Sequence, residues 1–154
     1  MKPQDFIDAI GPAAKQSSIT TKIPASFTVA EAALESGWGA SMLAQQAHNL
    51  FGVKSSPGWT GPTWAMQTRE YLHGQWVMVP AIWRAYPDWL GSITDHAQFL
   101  LTNPRYKPAF AHADGEEFAA TVAQAGYATD PDYADKIIAI IRAHKLALLD
   151  APHA

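Results

Sequence analysis

Two runs of alternating residues, Thr63 to Tyr71 and Trp76 to Ala85, interrupt a chain whose apolar residues elsewhere recur at helical spacing. Period-2 alternation suits a half-buried strand, whereas a period near 3.6 suits an amphipathic helix. Leu72-His73-Gly74-Gln75 between the runs reads as a hairpin turn. Pro80 cannot donate to a ladder and marks the second strand as an edge or bulged one. Helices, a small hairpin and helices again predict an α+β, mainly helical architecture.

Before the hairpin, Phe6, Ile7, Ile10 and Ala14 mark a helix from Pro3 to Ser17, which Gly11-Pro12 is expected to break or kink. A second helix opens at Pro24, carries the stripe Phe27, Ala30 and Leu34, and stops near Ser36-Gly37. Glycine and proline between Ser55 and Pro62 predict a loop. After the hairpin, Asp88 caps a helix bearing Leu90, Ile93, Ala97, Leu100 and Leu101. Asp114 and Glu117 read as a capping box before Phe118, Val122 and Ala125, with Gly126 as the stop. Asp130-Pro131 reads as a cap and first-turn proline leading into Ala134, Ile137, Ile138, Ile141 and Leu148. No repeat or linker divides the chain, so a single domain over residues 1–154 is expected.

Composition removes several functions. Without cysteine there is no disulfide framework, thiol nucleophile or thiolate metal site. Eleven basic against 14 acidic residues, with no basic cluster, exclude a phosphate-neutralising nucleic-acid surface. His48, His73, His96, His112, His144 and His153 lack metal-ligand spacing and read as surface or structural residues, so neither metal nor cofactor is expected. No G-x-S-x-G elbow is present. No apolar stretch approaches the roughly 18–20 residues of a membrane span, and the first residues lack the apolar run of a secretory signal. A monomer with no membrane partner is expected.

One carboxylate stands out by position. Glu35 lies about 100° round the helix from Leu34, where the chain is about to turn away. Trp38 beside it and the negative end of the helix dipole would both disfavour ionisation. A carboxylic acid kept neutral near pH 6 can protonate a glycosidic oxygen. The same position suits a solvated helix carboxylate, as Glu31, four residues earlier, is read to be on an exposed face.

Ala30 to Gly39, then Asn49-Leu50-Phe51-Gly52-Val53-Lys54, then Tyr127-Ala128-Thr129-Asp130-Pro131-Asp132-Tyr133 occur in order. These three blocks resemble the signature of the β-N-acetylglucosaminidases of glycoside hydrolase family 73, over roughly residues 5 to 148. That family includes flagellar muralytic domains, autolysins and phage lysins. The resemblance implies a lysozyme-like fold with a small β-hairpin lobe, peptidoglycan glycan strands as substrate, and Glu35 as the general acid. It aligns Glu70 with a second acidic residue of the β-lobe and Tyr127 with a tyrosine of the cleft.

Alternation independently puts Glu70 on one strand face with Trp64, Met66 and Thr68. It either lines a cleft or pairs with an arginine such as Arg84. Tyr127 is a site residue or a buried packing tyrosine. Asn49 and Lys54 hold substrate or shape a turn, and Phe51 belongs to the core. Trp38 borders the acid, while Trp59 and Trp64 stack on sugars or simply pack.

The expected reaction is endo-cleavage of the β-1,4 bond between N-acetylglucosamine and N-acetylmuramic acid. Three routes stay open: inversion through Glu70 at roughly 6.5–9.5 Å from Glu35, retention through a covalent intermediate at about 5–5.5 Å, or attack by the sugar's own acetamido oxygen steadied by Tyr127. A muramidase or lytic transglycosylase would use the same acid, and a glycan-binding module would use none. The setting expected is the bacterial cell wall. Release would be by holin, as for an endolysin, or by a dedicated route, as for a secreted effector. Met1-Lys2 at the start and Ala151-Pro152-His153-Ala154 at the end favour a complete protein.

Overall fold

The computed structural model describes residues 1–150; the expectations that fall on residues 151–154, His153 among them, lie outside that range. Helix α1 (Pro3–Thr21) leads into α2 (Ala25–Ser36) and a short α3 (Met42–Gln46). Strands β1 (Thr63–Leu72) and β2 (Gln75–Arg84) follow, then α4 (Trp89–Thr102) and a 3-10 segment (Pro104–Ala111). Helices α5 (Gly115–Gln124) and α6 (Tyr133–Ala143) and a last 3-10 turn (Leu146–Asp150) complete the described residues.

The core is built around α2. Every residue from Ala25 to Ala33 is buried, because α1, α5, α6 and the last 3-10 turn pack around it. A stripe is therefore the wrong picture for this helix: small alanines let neighbours approach from all sides. Its first turn is held from afar. Asp150 accepts from the Ser26 amide at 3.0 Å and from the Ser26 hydroxyl at 2.5 Å. Pro24 precedes the helix as its cap residue instead of occupying the first turn.

The expected break at Gly11-Pro12 does not occur, and α1 runs through it to Thr21. Proline removes one backbone donor, which leaves the Asp8 carbonyl unpaired in the helix. Asp8 and Pro12 are both exposed, so water can take that acceptor. Asp88 caps α4 by accepting from the Gly91 amide, as expected. Asp114 likewise caps α5, but Glu117 pairs with His112 Nδ1 at 3.0 Å and does not close the box. Helix α6 starts at Tyr133, since Asp130 accepts from the Asp132 amide and forms a turn ahead of it. The helix also ends at Ala143, which turns Leu148 outward, 72% exposed. Helix α3 and the first 3-10 segment were not expected.

The two strands pair antiparallel, with Leu72 opposite Gln75. Only His73 and Gly74 remain in the turn, and both have positive φ (51° and 79°). That is the geometry of a primed two-residue hairpin loop, whose twist matches the strands. Trp64, Met66, Thr68 and Glu70 share the half-buried face, as the alternation implied. At the hairpin base Trp83 joins Leu43 and Ala47 in a small second core, with Trp64, Met66 and Ala81 packed on it.

Candidate active site

The end of α2 aims Glu35. Gly37, Trp38 and Gly39 all have positive φ, at 58°, 59° and 78°. The Gly37 and Trp38 amides both bond the Ala33 carbonyl, which turns the chain sharply away. The buried Ser36 hydroxyl locks the turn, donating to the Ala32 carbonyl and accepting from the Gly39 amide. An added Cβ on Gly39 would meet Phe6 and Trp89 at 3.0–3.1 Å, so this turn is packed on the core.

Glu35 opens onto a cleft of about 600 Å³, walled by Phe51, Val53, Phe99, Tyr127 and Ala128, with Ser56, Arg84, Asp95 and His96 as its other polar groups. Glu35 as a residue is exposed. Partial burial nevertheless raises its pKa above the ordinary carboxylate value, the negative charge of Glu31 adds to this, and His96 opposes it. The expected cause needs correcting. Trp38 turns inward, edge-on to Phe6 at 6.0 Å and to His144 at 4.8 Å, and is not part of the cleft wall.

Glu31 is corrected as well. It is fully buried, not on an exposed face. Its Oε1 lies 2.6 Å from His96 Nε2, and the Tyr133 hydroxyl donates to Oε2. His96 is stacked on Phe51 at 4.2 Å, and the Tyr127 hydroxyl lies 2.8 Å from the same Nε2. Tyr127 therefore lines the cleft and also packs, against Tyr106 and Tyr133. Burial first, then Glu31, push its pKa well up, so it stays a neutral phenol.

The opposite wall is a charge network. Arg84 holds Asp95 through two contacts of 2.9 and 3.2 Å and reaches the Ser56 hydroxyl at 3.0 Å. The Tyr86 hydroxyl donates to Asp95 at 2.5 Å. Trp59 covers this network, 4.7 Å from the guanidinium, with its indole N–H on the Pro62 carbonyl. Arg84 is thus occupied, and Glu70 is paired with Lys54 at 4.0 Å instead. Neither Glu70 nor Lys54 belongs to the wall around Glu35. Trp64 lies in the small second core, its indole N–H without a partner.

Asn49 is buried and shapes the turn. Its amide donates to the carbonyls of Val53 and Arg84, both at 2.9 Å, while its oxygen accepts from the Val53 amide. Phe51 is buried yet presents its ring to the cleft. Asp95, His96 and Arg84 escaped notice as a group, although His96 falls between Ile93 and Leu100 at helical spacing, a signal for the buried face. Among the described residues no cluster of His, Cys, Asp and Glu could hold a metal ion.

Helices around an acid-bearing cleft, with a two-stranded lobe at its edge, make this a lysozyme-like glycoside hydrolase. Residues 11–146 match the sequence model of the glucosaminidases, described as mannosyl-glycoprotein endo-beta-N-acetylglucosaminidase, and the chain belongs to that family. It is similar to the peptidoglycan hydrolase FlgJ of Salmonella typhimurium, 36% identical over 143 residues, covering 90% of this chain and 45% of that protein. The exo-glucosaminidase LytG of Bacillus subtilis is 38% identical over 148 residues, covering 93% and 52%. The structure of a truncated glycoside hydrolase domain of Salmonella FlgJ superposes with a TM-score of 0.82 at 35% identity, covering 94% of this chain and 98% of that one. The chain spans about half the length of the curated relatives it matches.

Proposed function

We propose that this protein hydrolyses peptidoglycan glycan strands at the β-1,4 bond between N-acetylglucosamine and N-acetylmuramic acid, with Glu35 as the proton donor. The observation that carries the reading is a carboxyl with raised pKa opening directly onto a cleft. The names of FlgJ and LytG support the substrate and the sugar.

The geometry favours the acetamido route among the three. Asp95 is engaged by Arg84 and Tyr86, Glu31 is sealed in the core, and Glu70 sits with Lys54 on the hairpin. None of these is a free nucleophile or base within the wall around Glu35. The 2-acetamido oxygen of N-acetylglucosamine attacks C1 as the leaving oxygen takes the Glu35 proton. Water then opens the cyclic intermediate and returns a proton to Glu35. Tyr127, a neutral phenol in the cleft, steadies the acetamido group. Two inversions at C1 release the β-anomer.

Product analysis tests this. Mass spectrometry of digested peptidoglycan should find reducing-end N-acetylglucosamine, and NMR during the first turnovers should find its β-anomer. Reducing-end or anhydro muramic acid would transfer the chain to muramidase or transglycosylase chemistry. An α-anomer would reinstate Glu70 as the base. On the proposed route Glu70→Gln loses no more than about tenfold in kcat, because it removes only an exposed pairing with Lys54. A role as endolysin extends the proposal: the protein added to cells with exposed walls lowers their turbidity, and the Glu35→Gln variant does not.

A further inference from the structure

The reaction above makes no use of Glu31, yet this carboxylate is the most completely buried acid of the cleft region. It sits one helical turn before Glu35, so the two side chains leave α2 on the same face. Like charges at that spacing repel, and a buried ion is costly unless its surroundings hold it. Here they do. His96 Nε2 and the Tyr133 hydroxyl each meet a different oxygen of Glu31. With Nε2 carrying the ring proton, both oxygens act as acceptors, the state of a carboxylate. With the ring proton on Nδ1 instead, a protonated Oε1 would donate to Nε2 across the same contact, and carboxyl NMR separates the two arrangements.

The geometry points to Glu31 as a positioning residue: anchored by His96 and Tyr133 one turn before Glu35, its negative charge adds to burial in keeping the proton on the proposed catalytic acid. Other groups around Glu35 do not supply that charge. Arg84 of β2 and Asp95 of α4 face the cleft but neutralise each other in their 2.9 Å pair. His96 of α4 acts in the opposite sense to Glu31. Tyr127, after α5, and Tyr133 of α6 remain un-ionised phenols, both raised by burial and by Glu31. Lys54 and Glu70 pair with one another on the hairpin side.

The inference rests on Glu35 being the proton donor, and the experiment separates the two claims. The pH profile of kcat/KM is measured on purified peptidoglycan fragments for wild type, Glu31→Gln and Glu35→Gln. In Glu31→Gln the descending alkaline limb moves about one pH unit toward acid, about a tenfold loss at a fixed pH on that limb. A folded Glu31→Gln whose limb coincides with wild type overturns the role of Glu31. Should that variant fail to fold, carbon-13 carboxyl NMR of the wild type decides, with Glu35 assigned by comparison with Glu35→Gln. Glu31 must give a carboxylate signal throughout the pH range in which Glu35 takes up its proton, and a protonated Glu31 there overturns the inference. Near-normal rates in Glu35→Gln would remove the reading beneath it. An inert Glu35→Gln with an unshifted Glu31→Gln limb removes only the inference.

Discussion

Glu35→Gln is expected to lower kcat on peptidoglycan by about 10²–10⁴-fold, the range a positioned proton donor contributes, with KM little changed. Gln keeps the shape and polarity of the side chain at the end of α2, so the cleft can still be filled, but an amide has no proton to deliver to the departing oxygen. On the proposed route only the protonated form delivers the proton, so the wild type should lose activity as pH rises through the raised pKa of Glu35. The same shift has a consequence for stability, and its sign is definite. A carboxyl whose folded pKa exceeds its unfolded value binds its proton more tightly in the folded state. Its stabilising contribution is complete below the unfolded value, near 4.5, and is lost as pH climbs through the folded one. Gln carries no such dependence. Thermal unfolding should therefore find the variant equal to wild type at acidic pH and more stable at pH 8; equal stability at both would contradict the shift.

Asn49→Ala should cost about 3 kcal/mol, from three part-buried hydrogen bonds at about 1 kcal/mol each, made by a fully buried side chain. Asn49 ties the 49–53 turn to the end of β2, next to the Arg84 that organises one cleft wall. Asn49→Asp should be nearly as damaging. It retains the acceptor for the Val53 amide but sets an oxygen against two carbonyl oxygens in place of the amide donors. Urea denaturation measures both, and a loss below 1 kcal/mol for either variant would show that the turn holds itself. Activity should fall alongside stability, since Arg84 and Phe51 are carried by the same tie.

Much of this arrangement was legible in the residue pattern because its causes are local. The hairpin follows from alternation and a His-Gly turn, the α4 and α5 caps from Asp88 and Asp114, and the exit of Glu35 from Gly37. What could not be read depends on distant partners. The first turn of α2 is held by Asp150, 124 residues from Ser26. The burial of Glu31 was misread because a carboxylate is ordinarily exposed, and its partners His96 and Tyr133 lie on other helices. Its spacing of four from Phe27 did place it on the stripe side. Trp38 was assigned to the acid by adjacency in the chain, whereas three successive left-handed residues send it the other way. The expected pairing of Glu70 with Arg84 does not form, because the register sets Glu70 opposite Val77 and Arg84 opposite Thr63; Arg84 takes Asp95 and Glu70 meets Lys54.

The burial of α2 on all sides gives the acid a mounting that the rest of the domain cannot shift independently. The hairpin is fastened by a much smaller apolar contact. Sequence drift therefore meets two regimes. Changes along the central helix put the whole molecule at risk, so the proposed proton donor stands or falls with the scaffold. Changes on the hairpin leave the scaffold standing, and they reach the cleft wall through Arg84 at its base.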